Sequence, residues 1–389
     1  MCSSDLQARG GYVGVANVGL SSNWLSNHLA MANLYGFGRL AWNPSLASQE
    51  IASEWTELTF GIDPEVERKL ERILLESWPS YERYTGPLGL QSLTNITGPH
   101  YGPAPESQER NGWGQWIRAE ADGVGMDRTV ATGTGYVGQY SPDVQKMYET
   151  AKSTPNDLLL FFHHVPYTYR LHTGVTVIQT IYDLHYEGAA QANEFVKSWR
   201  SLKGHVDDER YQAVLEQLEY QSGHALVWRD AINNWFLRAS RIADEKERVG
   251  HYPDRIEVEK MELKGYEVFE PASWEGASGG KGVSCKEGQK LCWAQTRFAG
   301  APGSYELDVE YFDLGSGVAQ YRVFVGDQLV DQWSANMDLP GPLPSADSSV
   351  RRRIRGLTLR SGEEIRIEGM PNQGDPAALD YIEIMPTAH

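Results

Sequence analysis

The feature that most constrains the fold is a change in the hydrophobic period near residue 250. Before it, apolar residues recur at helical spacing, as Phe195, Trp199 and Leu202 do at i, i+4 and i+7. After the charged segment EKERVGHYPD the period becomes two, in the stretches IEVEKMEL, SYELDVEYFDL, AQYRVFVGDQLVDQW, RRRIRGLTL, EEIRIEG and LDYIEIM. Glycine, proline and asparagine turns separate these strands, which predicts an antiparallel β-sandwich over residues 251–389.

A mainly helical domain is predicted over residues 45–250. Asp63-Pro64 begins a helix that runs to about Trp78, and Asp207 caps a longer helix that ends near Asp244. Within this domain, residues 85–140 lose all periodicity and are rich in glycine, proline, asparagine and threonine. A long irregular segment inside a compact domain usually forms functional loops.

The N-terminal part of the chain reads differently. The run GYVGVANVG is apolar and β-branched, like a strand buried on both faces of a parallel sheet, and a helix through HLAMANLYGFGRLAW follows it. A strand followed by a helix is the form of the last unit of a (β/α)8 barrel, and one unit cannot close a barrel. We therefore expect a multidomain α + β protein: an artefactual or disordered leader at 1–10, a barrel remnant at 11–44, the helical domain, and the sandwich.

Composition excludes two classes of partner. The net charge is −17, spread thinly along the chain, so nucleic acid and anionic membrane surfaces would repel the protein. No apolar run approaches the ~20 residues that a membrane-spanning helix needs.

Two cysteines, Cys285 and Cys292, flank the short polar stretch CKEGQKLC. A disulfide between them would close a small hairpin loop and indicate an oxidising compartment, and two reduced surface thiols are the alternative.

Several loop residues carry side chains suited to sugar binding. Trp24 and Trp113 lie in loops beside polar and glycine residues, where a tryptophan either stacks on a sugar or anchors the loop. Arg128 either binds a carboxylate group of a ligand through two N–H groups of its guanidinium or forms a structural ion pair, with Asp127 beside it in the sequence. His163 belongs to FFHHVPYTYRLH, whose neighbouring histidines do not have metal-ligand spacing; it is either satisfied within the loop or part of a sugar-binding rim.

Acidic residues in the same region do not form a recognisable catalytic pair. Glu120, Asp122 and Asp127 fall in one loop, and a solvated acidic loop explains them. Glycosidases need two carboxyl groups on opposite sides of the scissile bond. The nearby GTGYVG lacks the βαβ context of a dinucleotide site.

A family resemblance covers roughly residues 11–245. The blocks HLAMANLYGFGRLAWNPSL, HYGPAPESQERNGWGQW, GVGMDRTVATGTGYVGQYSP, LLLFFHHVPYTY and LVWRDAINNWF resemble, in this order, the α-glucuronidases of glycoside hydrolase family 67. The resemblance implies an inverting glycosidase that removes 4-O-methyl-glucuronic acid from glucuronoxylan-derived oligosaccharides. The family's catalytic acid and base lie on earlier barrel strands, so we expect no catalytic residue in this chain and an enzyme inactive alone.

The resemblance also assigns binding roles. By their place in the matching blocks, Asn23, Trp24, Trp113, Arg128 and His163 would line the rim of the substrate pocket. NWLSNH departs from the family's NWTGH, which leaves the rim role of the first loop open.

The tail resembles the C-terminal extension of fungal-type members and, through it, carbohydrate-binding modules. In such modules two glutamates of the first strand and an aspartate of the last hold a structural Ca²⁺, and Glu257, Glu259 and Asp380 occupy those places. Solvent-facing residues alternating on strands are the plain alternative. No cofactor is expected for catalysis.

Three functions remain open. The chain is a fragment of a xylan-debranching α-glucuronidase, a non-catalytic carbohydrate-binding protein, or a dimerisation module, since the family's helical domain often makes subunit contacts. Polymeric xylan is met outside the cell, so secretion is expected, with a homodimer through the helical domain.

Overall fold

A computed structural model of the chain describes residues 13–14, 27–90, 102–103, 118–271, 276–337, 339, 341–346 and 348–387. The chain divides into two compact units. The first comprises Met1–Glu82 and Gly188–Ser222, and the second comprises Arg83–Glu187 and Gly223–His389. The described part of the chain contains helices before residue 241 and antiparallel sheets after residue 254, as the change of period predicts. None of the described helices is long and apolar enough to cross a membrane.

The first unit is helical. Its helices are α1 (Met31–Trp42), α2 (Ser48–Phe60) and most of α3 (Pro64–Thr85), together with residues 188–200 of α6 (Val177–Arg200) and 208–222 of α7 (Asp208–Ser240). Its core centres on the fully buried Trp199, whose Nε1 donates a hydrogen bond to Tyr211 O at 2.9 Å. Around it pack Val66, Leu70, Ile73, Phe195, Val196, Leu202, Val206, Val214 and Leu218.

Helix boundaries follow the predicted caps with one exception. Asp63 accepts from Glu65 N at 2.8 Å, and Asp207 accepts from Arg210 N at 3.0 Å, so both aspartates cap their helices. The predicted end of the helix that begins at Asp63-Pro64, near Trp78, is wrong, because α3 continues through Pro79 to Thr85. A proline inside a helix removes one backbone hydrogen bond, and burial of the following turn outweighs that loss. Ser80 and Tyr84 are buried, and Ser80 Oγ donates to Gly188 O at 3.1 Å.

The second unit begins with loops and short elements. Strands β1 (Arg118–Ala119) and β2 (Val124–Gly125) form a small hairpin, and α4 (Pro142–Tyr148) and α5 (Leu159–Phe162) follow before α6. The rings of Tyr148 and Phe162 stack with centroids 4.2 Å apart. Val124 bridges to Val165, which ties the hairpin to the loop after α5.

Eleven strands follow in the described residues of the second unit. They are β3 (Arg255–Glu257), β4 (Glu262–Lys264), β5 (Tyr266–Phe269), β6 (Gly282–Cys285), β7 (Cys292–Arg297), β8 (Gly303–Phe312), β9 (Gln320–Val325), β10 (Gln328–Ser334), β11 (Ser349–Leu359), β12 (Glu364–Met370) and β13 (Leu379–Pro386). One sheet has the order β10-β9-β12-β7-β4, and the other has the order β11-β8-β13-β6-β5, with β3 paired to β13. We call residues 255–386 the two-sheet region.

Apolar side chains between the sheets form the core of this region. Val323 and Ile367 of one sheet and Leu307 and Val309 of the other are fully buried. The rings of Tyr311 and Tyr321 lie 5.1 Å apart across the two sheets. The alternation of buried and exposed residues that predicted the strands is therefore the alternation between this core and the outer faces.

The outer face of the sheet that contains β8, β11 and β13 is covered by the C-terminal half of α7. At Gly223 of α7, an added Cβ would lie 3.2 Å from Arg351 Cβ, so glycine permits the close approach of helix and strand. Asp230, about two helical turns after Gly223, forms an ion pair with Arg255 of β3 at 2.7 Å. Asp308, Glu310 and Arg351 on this sheet face are accordingly buried rather than solvated.

Candidate functional site

Two places in the second unit gather polar side chains: the loops at 118–175 and the carboxylates beside β3. Of the residues predicted to line a substrate rim, Arg128 and His163 lie in the loops at 118–175. Asn23, Trp24 and Trp113 fall outside the described residues. The geometry below therefore concerns Arg128, His163 and their neighbours.

Arg128 is buried against Phe161. Its guanidinium lies 4.1 Å from the centre of the Phe161 ring and donates to the Phe161 carbonyl oxygen. Burial lowers the pKa of Arg128, with Tyr136 and Tyr140 acting in the opposite direction. The side chain therefore serves the packing of the loop that it belongs to.

Asp127 is not the ion-pair partner that the sequence suggested for Arg128. Its carboxylate accepts hydrogen bonds from Thr129 N at 3.0 Å and from the hydroxyls of Thr129 and Thr132, each at 2.7 Å. Although burial raises it, the pKa of Asp127 is held below its usual value by these donors. An Asp127 that closes its own loop explains why aspartate, threonine and glycine recur together in MDRTVATGTG.

His163 is satisfied inside the loops. Its Nε2 lies 2.8 Å from Thr154 Oγ1. Burial lowers the pKa of His163, so the ring is neutral at pH 7. The Nε2 atom of His163 is thus engaged within the protein.

The neighbouring His164 instead meets two acidic residues. Among the described residues, Glu120, Asp122 and His164 are the potential metal ligands whose atoms all lie within 4.8 Å of one another. All three are exposed, and an added Cβ on Gly123 would lie 2.7 Å from the His164 ring. The predicted acidic loop is therefore real for Glu120 and Asp122, whereas Asp127 lies apart in its own hydrogen-bonded turn.

The second place is the set of carboxylates predicted to hold calcium. Glu257 lies at the end of β3, Glu259 in the turn after it, and Asp380 on β13, which pairs with β3. Unlike the ligand atoms of Glu120, Asp122 and His164, the carboxylate oxygens of these three residues do not all lie within 4.8 Å of one another. Ser278 connects two of the three: its Oγ donates to Glu257 Oε1 at 2.8 Å, and its N–H donates to Asp380 at 2.9 and 3.0 Å.

Burial gives this site its electrostatic character. Burial raises the pKa of Glu257, and burial followed by the charge of Glu310 raises the pKa of Asp380 well above its usual value. Glu257 Oε2 and Glu259 Oε2 are buried without a hydrogen-bond partner. Buried acceptors of this kind are incomplete without a cation or a proton, and hard oxygen ligands suit calcium.

A buried network of charges lies next to the carboxylates. Arg255 contacts Asp230 at 2.7 Å and Glu383 at 3.0 Å, and Arg351 contacts Glu310 at 2.8 Å. A cavity of about 480 Å³ lies among these residues, lined by Asp230, Asn234, Tyr252, Arg255, Glu257, Ser278, Glu310 and Asp380 among others. Sequence reasoning missed this network, although the acidic alternation of ELDVE in β8 opposite the basic alternation of RRRIR in β11 could have indicated it.

The two predicted cysteines form a disulfide. Cys285 ends β6 and Cys292 begins β7, with Cα atoms 5.8 Å apart. Because β6 and β7 belong to different sheets, the bond links the two sheets as well as closing the short loop.

The chain was compared with known proteins. A sequence model described as the Glycosyl hydrolase family 67 C-terminus matches residues 25–249. The "Probable alpha-glucuronidase A" of Aspergillus flavus is 49% identical over 382 residues, which is 97% of this chain and 46% of that protein. The "Alpha-glucuronidase A" of Emericella nidulans is 47% identical over 97% of this chain and 45% of its own length. The chain spans about half the length of these curated relatives.

Solved structures give only distant likenesses. A family 35 carbohydrate binding module from Clostridium thermocellum matches 34% of this chain and 98% of its own, with 18% identity and a TM-score of 0.27. A GH26-CBM35 mannanase of Podospora anserina matches 35% of this chain and 28% of its own, with 21% identity and the same TM-score of 0.27.

Proposed function

The chain belongs to glycosyl hydrolase family 67, of which it carries the C-terminal portion, and we propose that it is the C-terminal part of a xylan-debranching α-glucuronidase. The observation that carries this proposal is the identity of 49%, along 97% of the chain, to a fungal protein named "Probable alpha-glucuronidase A". The substrate is then an oligosaccharide of glucuronoxylan that bears (4-O-methyl-)glucuronic acid. The reaction is hydrolysis of the uronic acid linkage with inversion.

We place the general acid and general base outside this chain. Inverting enzymes need two carboxyl groups about 6.5–9.5 Å apart, one to protonate the leaving oxygen and one to activate water. Among the described residues, three of the six buried aspartates, Asp230, Asp244 and Asp308, are engaged by arginines. Their engagement supports a structural role for these three. The β/α segment at 11–44 is proposed as the end of the barrel that carries the acid and base.

Release of 4-O-methyl-glucuronic acid from aldouronic acids tests this proposal. The chain is assayed alone and after mixing with the N-terminal half of the Aspergillus flavus relative. We expect no release by the chain alone and release from the mixture. Turnover by the chain alone would overturn the placement of the acid and base, and a folded, mixed complex without turnover would count against the family activity.

The rim residues are proposed to act through the loops they hold. Asn23, Trp24 and Trp113 would contact substrate, whereas Arg128 and His163 are buried and would position the loops at 118–175. In the mixed assay, His163→Ala should then raise KM without changing the pH profile, and a loss confined to kcat would contradict a positioning role.

We propose that the two-sheet region is a carbohydrate-binding-module-like β-sandwich with a structural Ca²⁺. Glu257, Glu259 and Asp380 would hold the ion, and the two buried carboxylate oxygens without partners support this. Calcium would supply charge neutralisation only and take no part in catalysis.

Thermal unfolding in Ca²⁺ and in EGTA tests the ion. An ion present at 100 times its Kd stabilises the folded state by about 2.7 kcal/mol, so we expect Tm to fall by several degrees in EGTA. Glu257→Gln should abolish most of the difference, while Glu262→Gln, on exposed β4, should retain it. An unchanged Tm in EGTA would overturn the calcium proposal.

A non-catalytic carbohydrate-binding or dimerisation role is the second candidate. Exposed apolar residues of α1, namely Leu34, Phe37 and Leu40, support a homodimer through the helical domain. Sedimentation equilibrium of the chain and of Phe37→Glu would show a dimer that the variant dissociates; a monomeric wild type would exclude it.

The disulfide between Cys285 and Cys292 supports secretion of the protein. Mass spectrometry of the protein recovered from culture medium tests this, and we expect the disulfide to be intact.

A further inference from the structure

The two sheets of the two-sheet region differ in their outer faces. Helix α7 covers the outer face of the sheet that contains β8, β11 and β13. On the outer face of the sheet with the order β10-β9-β12-β7-β4, side chains alternate with core residues and stay half-buried or exposed, apart from the buried Glu368. We call this second surface the open face and define it by Lys264 of β4, Trp293 of β7, Arg322 and Phe324 of β9, and Arg366 and Glu368 of β12.

Trp293 stands in a row of side chains that crosses the open face. Lys264 lies directly opposite Trp293 on one neighbouring strand, and Glu368 lies directly opposite it on the other. Cβ atoms of directly opposite residues are about 4.5–5.5 Å apart, so the indole stands between an ammonium group and a carboxylate. Trp293 is half-buried, and its side chain makes no ring contact or hydrogen bond with any other residue that the structure describes. Its indole therefore offers an aromatic surface on which a ligand can stack.

Two arginines of the open face are held by neighbouring side chains. Arg322 Nη2 lies 2.9 Å from Glu368 Oε2, and Arg366 Nε lies 3.3 Å from Glu368 Oε1. The guanidinium carbon of Arg366 also lies 4.7 Å from the centre of the Phe324 ring. Lys264, in contrast, is exposed and forms no ion pair with another described residue. Its ammonium group is therefore available to a carboxylate from outside the protein.

The charge of the open face departs from that of the whole chain. The chain has a net charge of −17. On this face, basic side chains instead outnumber acidic ones, with Lys264, Arg297, Arg322 and Arg366 against Glu262, Glu364 and Glu368. An anionic ligand is accordingly favoured here over the rest of the protein surface.

The mixture of rings and charges favours a sugar chain over a protein partner. The core of a protein–protein interface is apolar and depleted of charged residues, whereas the open face places charges beside both of its rings. Trp293 and Phe324 are separated by two strand spacings across the sheet and two residues along it, which is roughly 12 Å. Two rings at this separation suit a chain of several sugars rather than a single sugar.

We propose that the open face binds a sugar chain that carries carboxylates, with Trp293 stacking on a sugar ring and Lys264 pairing with the carboxylate of a uronic acid. The proposal rests on the carbohydrate-binding-module-like role proposed above for the two-sheet region, and it adds the site and the chemical class of the chain. Glucuronoxylan belongs to this class, since its uronic acids are side groups on a chain of neutral sugars. Phe324 provides the second ring, and Glu368 holds the two arginines of the face in place.

Isothermal titration calorimetry of the full chain tests the site, with aldouronic acids and neutral xylo-oligosaccharides of the same backbone length as the probes. We expect Trp293→Ala to weaken the binding of both probes about tenfold. Lys264→Gln should weaken the binding of the acidic probe about threefold and leave that of the neutral probe unchanged. Added salt should reduce the preference of the wild type for the acidic probe, because salt screens an exposed ion pair.

Two variants are the matched controls. Trp78→Ala removes an exposed tryptophan from α3 in the first unit, and Glu262→Gln removes a charge from β4, two positions before Lys264. Neither should weaken the binding of either probe. The Tm of each variant shows whether it is folded.

The outcomes separate this site from the function proposed above. Unchanged binding by a folded Trp293→Ala would overturn the site, and equal weakening of both probes in Lys264→Gln would overturn the pairing with a uronic acid. No binding by the wild type would overturn the whole inference, whereas release of 4-O-methyl-glucuronic acid in the mixed assay would still support the α-glucuronidase proposal. If Trp293→Ala does not fold, Trp293→Phe retains a ring and should keep most of the binding, and Lys264→Gln then decides the proposal.

Discussion

Arg351 of β11 donates from Nε to Glu310 of β8 at 2.8 Å, and both side chains are almost completely buried. The same guanidinium contacts Asp308 at 3.3 Å and Glu383 at 3.0 Å. One arginine thus compensates three carboxylates beneath helix α7. Burial nevertheless raises the pKa of Glu310 to about 7.

Loss of Arg351 should be severe because it leaves buried carboxylates without a cation. We expect Arg351→Leu to lower the free energy of unfolding by about 3–5 kcal/mol, measured by urea denaturation at pH 7. The adjacent Arg352 is the matched control, because it points to the opposite side and pairs with Asp331 while 44% exposed. Arg352→Leu should cost less than about 1 kcal/mol. Equal losses for the two variants would contradict the role given to the buried network.

Asp375 should make the two-sheet region less stable as the pH rises from 4 to 6. Burial raises the pKa of Asp375 to about 6, so the folded state binds its proton more tightly than the unfolded state does. This contribution is complete below the ordinary aspartate pKa of about 3.9 and is lost as the pH rises through 6. Two pKa units correspond to roughly 3 kcal/mol.

Asp375→Asn should remove that part of the pH dependence. Denaturation curves at pH 4, 5, 6 and 7 would then show the wild type losing about 2–3 kcal/mol relative to the variant across this interval. Parallel pH profiles for the two proteins would show that Asp375 titrates normally.

Reduction of the disulfide should destabilise the two-sheet region. Cys285 and Cys292 are 7 positions apart, and a loop of this length lowers the entropy of the unfolded chain by an amount worth about 2–3 kcal/mol. We expect Tm to fall by several degrees in dithiothreitol. The variant with both cysteines changed to serine should be insensitive to dithiothreitol, and an equal response in that variant would place the effect elsewhere.

Two tryptophans of the helical unit should differ sharply. Trp199 is fully buried. The centre of its ring lies 6.0 Å from that of Phe60 and 6.1 Å from that of Tyr211. Trp199→Ala should cost about 3–5 kcal/mol through the cavity and the lost hydrogen bond to Tyr211 O. Trp78 is 69% exposed, and Trp78→Ala should stay within about 0.5 kcal/mol of wild type. Guanidinium denaturation monitored by circular dichroism compares the two.

Local signals predicted much of the fold. The aspartates that cap α3 and α7, the strands of alternating polarity and the pairing of Cys285 with Cys292 all follow from residues near one another in the chain. Pro79 shows the limit of such signals. Its effect on a helix depends on whether the following turn is buried, and the burial of Ser80 and Tyr84 comes from distant residues.

The candidate sites show the same division. Asp308 and Glu310 alternate along β8, and Arg351 and Arg353 alternate along β11, so each pair lies on one face of its strand. The alternation by itself does not tell a solvent-exposed face from a covered one. Only the tertiary structure placed α7 over that face, which converts surface charges into a buried network. Likewise, the residue types of Glu257, Glu259 and Asp380 suited a cation, but Ser278, which connects Glu257 and Asp380 to Arg255, had no signal of its own.

By itself, the sequence determined the helices, the strands, the disulfide pair and the family. The helices and strands depend on local periodicity, the disulfide joins two cysteines close together in the chain, and the family is identified by sequence blocks that occur in the family's order. The tertiary structure decided which polar residues are buried and with whom they pair. Arg128 and His163 are enclosed by their own loops, and Arg255 binds Asp230 across 25 positions of the sequence. Burial and pairing depend on how separate helices and strands pack. That packing determines how far each charged side chain is removed from water and which opposite charge compensates it.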